Sequence, residues 1–169
     1  MPDVVIRDMA DFSDWLPTIS AWFHAEWREL LDGQTPIDIE TRIAAWLTRD
    51  SIPTALVAVV DGEVVGTVAL KGKELEHFGA TPWLAGLFVV PHFRQYGIGT
   101  QLLRAAEKKA VAMGMHKLYL YTPRAQRFYA ALGWKPQQDI VLPSGVVTVM
   151  EKVLLPHDLF QPPPLPGVG

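Results

Sequence analysis

A glycine-rich turn between an apolar run and an amphipathic stretch carries the clearest chemical signal in this chain. The apolar run 84–90 is broken by Pro91, and Gly97 and Gly99 open the amphipathic stretch that follows. Glycine lets the backbone approach a ligand closely, and the first N–H groups of a helix have no partner inside the helix. These donors lie at the positive end of the helix dipole, where phosphate groups bind. The pattern therefore predicts a site for a phosphorylated ligand on the turn 94–100.

Three known phosphate-binding patterns can be compared with this turn. A P-loop requires Lys followed by Ser or Thr after its glycines, and no such pair follows here. A dinucleotide-binding fingerprint requires a third glycine and a later acidic residue, but its third position is Leu102 and the segment 117–120 holds no acid. The remaining pattern, R/Q-x-x-G-x-G, is met by residues 94–99.

A second motif lies downstream, in the order strand, turn and short helix. Residues 118–122 favour a strand, Pro123 ends it, and the segment 124–134 is typical of a short helix closed by Gly133. The segment 128–134 reads F-Y-A-A-L-G-W. Together with the glycine turn, in this order, it resembles the two signature motifs of the GNAT family of N-acetyltransferases. The resemblance extends over nearly the whole chain.

The resemblance implies an α/β (α+β) fold, with a mixed, mostly antiparallel sheet of about six to seven strands and about four helices on both faces. The domain would span residues 1–155. A proline-rich tail, 156–169, would follow it, and proline of this density cannot join a sheet. Apolar periodicity also predicts helices over Phe12–Leu31 and Asp38–Arg49, and Asp61-Gly62 predicts a hairpin.

In that family the ligand is acetyl-CoA, and the resemblance assigns its contacts residue by residue. The strand before the turn holds the pantetheine arm, and the N–H groups of the turn hold the pyrophosphate. The implied cofactor-binding residues are Leu87, Phe88, Val89, Arg94, Gln95, Tyr96, Gly97, Ile98, Gly99, Thr100 and Tyr129. No metal is implied. The chain contains no cysteine, so a thiolate nucleophile is excluded.

The resemblance also implies two catalytic groups. Tyr129 matches the tyrosine that donates a proton to the departing thiolate. A backbone N–H on the motif strand, from Leu87 or Phe88, would point at the thioester oxygen as the oxyanion donor. Gly86, just before them, is consistent with a bulge or a close backbone approach.

The general base is less well defined, because residues 82–87 of the motif strand contain no acid. An alkyl amine is protonated at neutral pH, so a group must accept its proton directly or through water. Glu26, beside Trp27 on the first predicted helix, is assigned this catalytic role, since a carboxylate among tryptophans can bind a cationic amine. The alternatives left open are His24, Glu74, Glu76 and His77.

Charge is distributed unevenly along the chain. Residues 1–83 hold 14 acidic and 6 basic side chains, a balance of −8, whereas residues 84–169 hold 4 and 9, a balance of +5. The basic half carries the motifs for the anionic cofactor, and the acidic half would suit a cationic acceptor. No basic run with interleaved aromatics favours nucleic acid, and no apolar run has the length of a membrane span.

We therefore expect an acetyl-CoA-dependent N-acetyltransferase that acts on a primary amine of a small molecule or peptide. The N-terminus lacks the features of a signal peptide, so a cytoplasmic location is expected. The hydrophobic content of 49% suffices for one core. The alternative is a non-catalytic acyl-CoA-binding regulatory module with the same fold. Whether the chain acts alone or as a homodimer is left open.

Overall fold

Seven strands and four α-helices follow one another in a computed structural model that describes residues 3–72 and 81–155. The strands are β1 (Val5–Asp8), β2 (Thr54–Val60), β3 (Glu63–Lys71), β4 (Trp83–Val89), β5 (Lys117–Thr122), β6 (Lys135–Leu142) and β7 (Gly145–Val153). The α-helices are α1 (Leu16–Glu26), α2 (Pro36–Ile43), α3 (Ile98–Ala112) and α4 (Gln126–Ala131). None of the helices in these residues is long and apolar enough to cross a bilayer.

The seven strands form one sheet in the order β1-β2-β3-β4-β5-β7-β6. Neighbouring strands are antiparallel except β4 and β5, which run parallel and pair only where Trp83 faces Tyr119. Beyond that pair the two strands separate toward their carboxyl ends. The predicted mixed, mostly antiparallel sheet is confirmed, and the strand that separates from its neighbour β5 is the one that precedes the glycine turn.

Alternation along the central strands builds a core on each face of the sheet. On β2, Val57 and Val59 face a cluster completed by α1 and α2, while Ala58 and Val60 face a cluster completed by α3 and α4. Because successive side chains of a strand point to opposite faces, such a strand must be apolar at nearly every position. Helices therefore cover both faces, as the sequence predicts.

The first predicted helix is shorter in the structure than the periodicity indicates. A 3-10 segment occupies Met9–Trp15, α1 begins only at Leu16, and Trp27 already departs from helical dihedrals (φ −116°, ψ 37°). The apolar positions after Glu26 therefore belong to turns. The prediction Phe12–Leu31 was wrong at both ends, because apolar spacing does not distinguish an α-helix from a 3-10 segment or compact turns that bury the same side.

The second helix begins earlier than predicted because its start is capped. The Thr35 hydroxyl accepts a hydrogen bond from the Asp38 N–H, and the Asp38 carboxylate accepts one from the Thr35 N–H. This capping box sets α2 at Pro36–Ile43 rather than 38–49, and a 3-10 turn follows it. The Asp61-Gly62 hairpin is confirmed, with positive φ at both residues. The tail 156–169 lies outside the described residues.

Glu107 on α3 is a fully buried charge that the sequence did not reveal as such. Its carboxylate accepts hydrogen bonds from Lys152 Nζ at 2.7 Å and Trp134 Nε1 at 3.4 Å, and it pairs with Arg104 at 3.4 Å. A buried carboxylate is tolerated only when paired and hydrogen-bonded in this way. The network joins α3 to β7 and to the segment after α4, and so fixes the position of α4 relative to α3.

Candidate active site

The start of α3 presents unpaired backbone donors. Gly97 occupies the N-cap position in the left-handed region (φ 79°), and no side chain caps the helix. The first helical bond runs from the Gln101 N–H to the Gly97 carbonyl, so the N–H groups of the three residues between them lack intrahelical partners. A Cβ built on Gly97 would meet no atom within 4 Å, so the approach to these donors is open. The turn can hold an anion on its backbone.

A bulge in β4 turns one backbone N–H away from its neighbouring strand. Thr67 faces Phe88 and Ala69 faces Ala85, so β4 has an extra residue at this point, and Gly86 there has φ 62°. The Gly86 carbonyl accepts a hydrogen bond from the Thr67 hydroxyl at 2.8 Å, on the β3 side. In a trans peptide the next N–H points the opposite way.

The Leu87 N–H therefore points away from the Thr67 hydroxyl, at a position where β4 no longer pairs with β5. Leu87 lines the opening between them, and Phe88 does not. Phe88 is instead buried in the core on the α1 side. Of the two candidates that the sequence left open for an oxyanion donor, the geometry favours Leu87.

A cavity of about 730 Å³ occupies this opening. Its walls come from the end of α1 and the turns after it, from α2, and from the carboxyl-terminal parts of β4 and β5. Trp27 and Trp46 give it apolar surface on the helical side, and Tyr129 reaches it from α4. The Leu87 N–H and the Tyr129 side chain thus share one cavity, because the strands separate between them.

Tyr129 is almost fully buried, and its ring packs against Phe128 and Trp134, with centroid separations of 5.1 and 6.1 Å. Its hydroxyl makes no hydrogen bond within the part of the chain that the structure describes. Burial raises the pKa of Tyr129 to about 12, because a phenolate is poorly solvated there. At neutral pH the cavity therefore contains a protonated hydroxyl whose donor capacity is not used by the protein.

Glu26 and Arg94, predicted to act separately, are partners in the structure. Arg94 Nη2 lies 3.5 Å from Glu26 Oε2, both side chains being 42% exposed. Arg94 Nε donates to the Val89 carbonyl at 2.8 Å, and its guanidinium lies over the Phe88 ring at 5.5 Å. Arg94 thus ties the glycine turn to the end of α1. Glu26 lines the cavity but is not the desolvated carboxylate that its tryptophan neighbours suggested.

The charges around the cavity differ from those expected for a cationic acceptor. Its basic lining residues are Arg42, Lys71 and Arg124, whereas Glu26 is the one acidic side chain among the described lining residues. Several acidic side chains of the N-terminal half are engaged outside the cavity lining. Asp8, for example, pairs with Arg49 at 3.2 Å and Lys109 at 3.0 Å, away from the cavity walls.

The other base candidates gain no support. His24 lies on α1 but does not line the cavity, and Glu74, Glu76 and His77 lie outside the described residues. Sequence analysis missed Thr67, whose hydroxyl orients the bulge, because a threonine in an apolar strand is unremarkable. It also missed Arg124, although its position directly after Pro123, at the end of β5, was a usable signal.

Comparisons with known proteins identify the family to which the chain belongs. Residues 16–134 match the model of the acetyltransferase (GNAT) family. Acetyltransferase plu1384 of Photorhabdus laumondii is 40% identical over 87 residues, which are 52% of this chain and 57% of that protein. The match therefore spans little more than half of that relative's length.

Solved structures resemble the whole described fold. The structure of yncA from Salmonella typhimurium with acetyl-CoA superposes with a TM-score of 0.72 at 19% identity, over 91% of this chain and 95% of that one. An aminoglycoside 6'-N-acetyltransferase complexed with coenzyme A superposes with a TM-score of 0.70 at 19% identity, over 90% and 98%. At such identities these likenesses show the fold alone. The family model covers well over half of the chain, including the glycine turn and Tyr129, and the protein belongs to the acetyltransferase (GNAT) family.

Proposed function

We propose that the protein is an N-acetyltransferase that transfers an acetyl group from acetyl-CoA directly to a primary amine. One observation carries the proposal: Leu87 and Tyr129 border the opening between β4 and β5, and β4 leads directly into the turn whose free N–H groups begin α3. Direct transfer needs a held donor, an oxyanion site and a proton source for the leaving group. The start of α3 could hold the donor, the Leu87 N–H could form the oxyanion site, and Tyr129 could supply the proton.

Acetyl-CoA fits the groups that are present. The N–H groups of residues 95–100 would hold the pyrophosphate, and the separated edge of β4 at Leu87–Val89 offers backbone groups to the amides of the pantetheine arm. Arg94 would add positive charge beside the turn while its Nε holds the Val89 carbonyl. When bound, acetyl-CoA supplies a thioester: the amine nitrogen forms a bond to the carbonyl carbon as the bond from carbon to sulfur breaks.

The Leu87 N–H would stabilise the negative charge that develops on the carbonyl oxygen. A fixed backbone donor is effective here because it needs no reorientation during the reaction. Thr67 has a positioning role, since its hydroxyl holds the Gly86 carbonyl and thereby the orientation of the peptide that carries this N–H.

Tyr129 would supply a hydrogen bond to the sulfur as charge accumulates there. With its pKa at about 12 and that of a thiol near 8.5, full transfer of its proton to a free thiolate is uphill by about 5 kcal/mol. Donation of a hydrogen bond is therefore its main contribution. Once the carbon–nitrogen bond has formed, the nitrogen is positively charged and loses a second proton. That proton replaces the one that Tyr129 gives to the sulfur, so the phenol is protonated again at the end of the cycle.

Glu26 is our candidate for accepting the amine proton, through water. It lines the cavity, and its exposed carboxylate gives the proton a route to solvent. We expect Glu26→Gln to lower kcat/KM for the amine about 10-fold at pH 7, with a smaller loss near pH 10, because more of the amine is then neutral without a base. The exposed ion pair with Arg94 contributes less than about 1 kcal/mol, so acetyl-CoA binding should change little.

The matched control for that variant is Glu29→Gln, which removes an exposed carboxylate outside the cavity lining. It should leave kcat/KM unchanged at every pH. An equal loss from pH 7 to pH 10 in Glu26→Gln would instead assign Glu26 to holding Arg94.

The function itself is tested by release of the CoA thiol from acetyl-CoA in the presence of a panel of amines. The panel should include cationic, neutral and anionic acceptors of similar size. Acetylation of any of them, detected by mass, supports the proposal. Tight binding of acetyl-CoA with no release for any acceptor would favour the non-catalytic acyl-CoA-binding module.

A further inference from the structure

The basic side chains that line the cavity do not belong to the machinery described above. Arg42 lies on α2, Lys71 at the end of β3, and Arg124 in the turn after β5. Three elements thus bring positive charge to the cavity that also contains Leu87 and Tyr129. The turn proposed for the pyrophosphate lies at the start of α3, and its residues are not part of this lining. The cofactor phosphates therefore do not explain these charges.

Arg42 is held by a neutral group. Its Nη2 donates to the amide oxygen of Gln34, and it makes no ion pair within the described residues. Asp38, one turn earlier on α2, is occupied by its capping hydrogen bonds to Thr35. The guanidinium is exposed, and its hydrogen bond to Gln34 orients it.

Arg124 is also exposed, and the described part of the chain contains no ion-pair partner for it. Lys71 contributes a third charge at the cavity wall, with its Nζ 5.7 Å from the centre of the Trp46 ring. Guanidinium groups are planar and bind carboxylates through paired hydrogen bonds.

Glu26, the one acidic side chain among the described lining residues, suits the ammonium end of the same molecule. Among the described lining residues, a cation alone would find a single carboxylate, already shared with Arg94, and the like charges of Arg42 and Arg124. An amine that also carries an anionic group would place its positive charge near Glu26 and its negative charge near Arg42 and Arg124.

We infer that the acceptor is an amine bearing a carboxylate or similar anionic group, with that group bound by Arg42 and Arg124. This inference rests on the proposed function, and it replaces the cationic acceptor suggested by the charge balance of residues 1–83. It places the amine near Glu26 and the anionic group on the basic side chains of the cavity.

The test compares α-amino acids with their amides as acceptors, measured as the ratio of kcat/KM within each pair. The ratio should fall about 10-fold or more in Arg42→Gln and in Arg124→Gln, because each removes a charged hydrogen bond to the carboxylate. An α-amino acid and its amide differ in the basicity of the amine, but this difference is the same for every variant. It therefore cancels when the acid-to-amide ratio of kcat/KM is compared between variants. Arg124→Lys keeps the charge and should retain part of the preference, and the KM for acetyl-CoA should stay constant throughout.

Arg127→Gln is the matched control, because Arg127 is an exposed arginine on α4 that does not line the cavity. Its ratio should equal that of the wild type, and melting temperatures confirm that each variant is folded. A peptide pair beginning with Asp or Asn shows whether the anionic group belongs to a free amino acid or to a peptide end. Acetylation of neutral and cationic amines, with ratios unchanged in both cavity variants, would overturn this inference and leave the acetyltransferase proposal intact. No transfer to any amine would overturn both.

Discussion

Replacing Tyr129 by phenylalanine is expected to lower kcat about 100-fold, the usual contribution of a positioned general acid. The change removes one hydroxyl that makes no hydrogen bond within the described chain and keeps the ring packing against Phe128 and Trp134. Stability and acetyl-CoA affinity should therefore hardly change. The measurement is the single-turnover rate of thiol release, so that product release does not mask the chemical step.

The pH dependence of this loss gives a second readout. Burial raises the pKa of Tyr129 to about 12, so the hydroxyl remains protonated between pH 7 and pH 10. The ratio of wild-type to Tyr129→Phe rates should be constant over that range. The same raised pKa predicts how the free energy of unfolding depends on pH. The folded state binds the Tyr129 proton more tightly than the unfolded state, so the resulting stabilisation is present below about pH 10 and is lost as the pH rises from about 10 to about 12.

Tyr119→Phe is the control, since it removes a phenolic hydroxyl from β5 outside the cavity lining. It should keep the wild-type rate. A rate within threefold or so of wild type in Tyr129→Phe would leave Tyr129 as a packing residue, and the proton source would have to be sought elsewhere in the cavity.

Gly97→Glu is expected to abolish stabilisation by acetyl-CoA. At a ligand concentration of one hundred times its Kd, acetyl-CoA should stabilise the wild-type fold by about 2.7 kcal/mol, measured as a rise in Tm. A glutamate at the N-cap of α3 would place a negative charge beside the unpaired N–H groups proposed to hold the pyrophosphate. No atom lies within 4 Å of a Cβ at this position, so the apo protein should remain folded.

The backbone at Gly97 has φ 79°, and any side chain there is strained. Gly97→Gln has the same strain and nearly the same shape without the charge. The difference in Tm rise between the Glu and Gln variants therefore isolates electrostatic repulsion from backbone effects. A full rise in Gly97→Glu would move the cofactor phosphates away from this turn.

Local signals were read correctly from the sequence because each is contained in a few neighbouring residues. Asp61-Gly62 adopts positive φ in a two-residue turn, and Gly97 does so at the start of α3, since glycine and aspartate tolerate that region. The order of elements followed from the same reasoning, and so did the position of Tyr129 on the short helix after Pro123. Helix ends were read less well, because the apolar side of α1 continues into a 3-10 segment and turns.

What the sequence determined by itself was therefore the family, the turn that can hold an anion, and the residue types available for catalysis. Only the tertiary structure decided which of these residues lie close together in space. The pairing of Glu26 with Arg94, and the gathering of Arg42 and Arg124 around one cavity, join residues far apart in the chain. The charge balance of residues 1–83 predicted a cationic acceptor, whereas most of the charged side chains among the described lining residues of the cavity are basic. Net charge is a sum over a segment, but a bound molecule experiences only the side chains that the fold directs toward it, since solvent screens the rest.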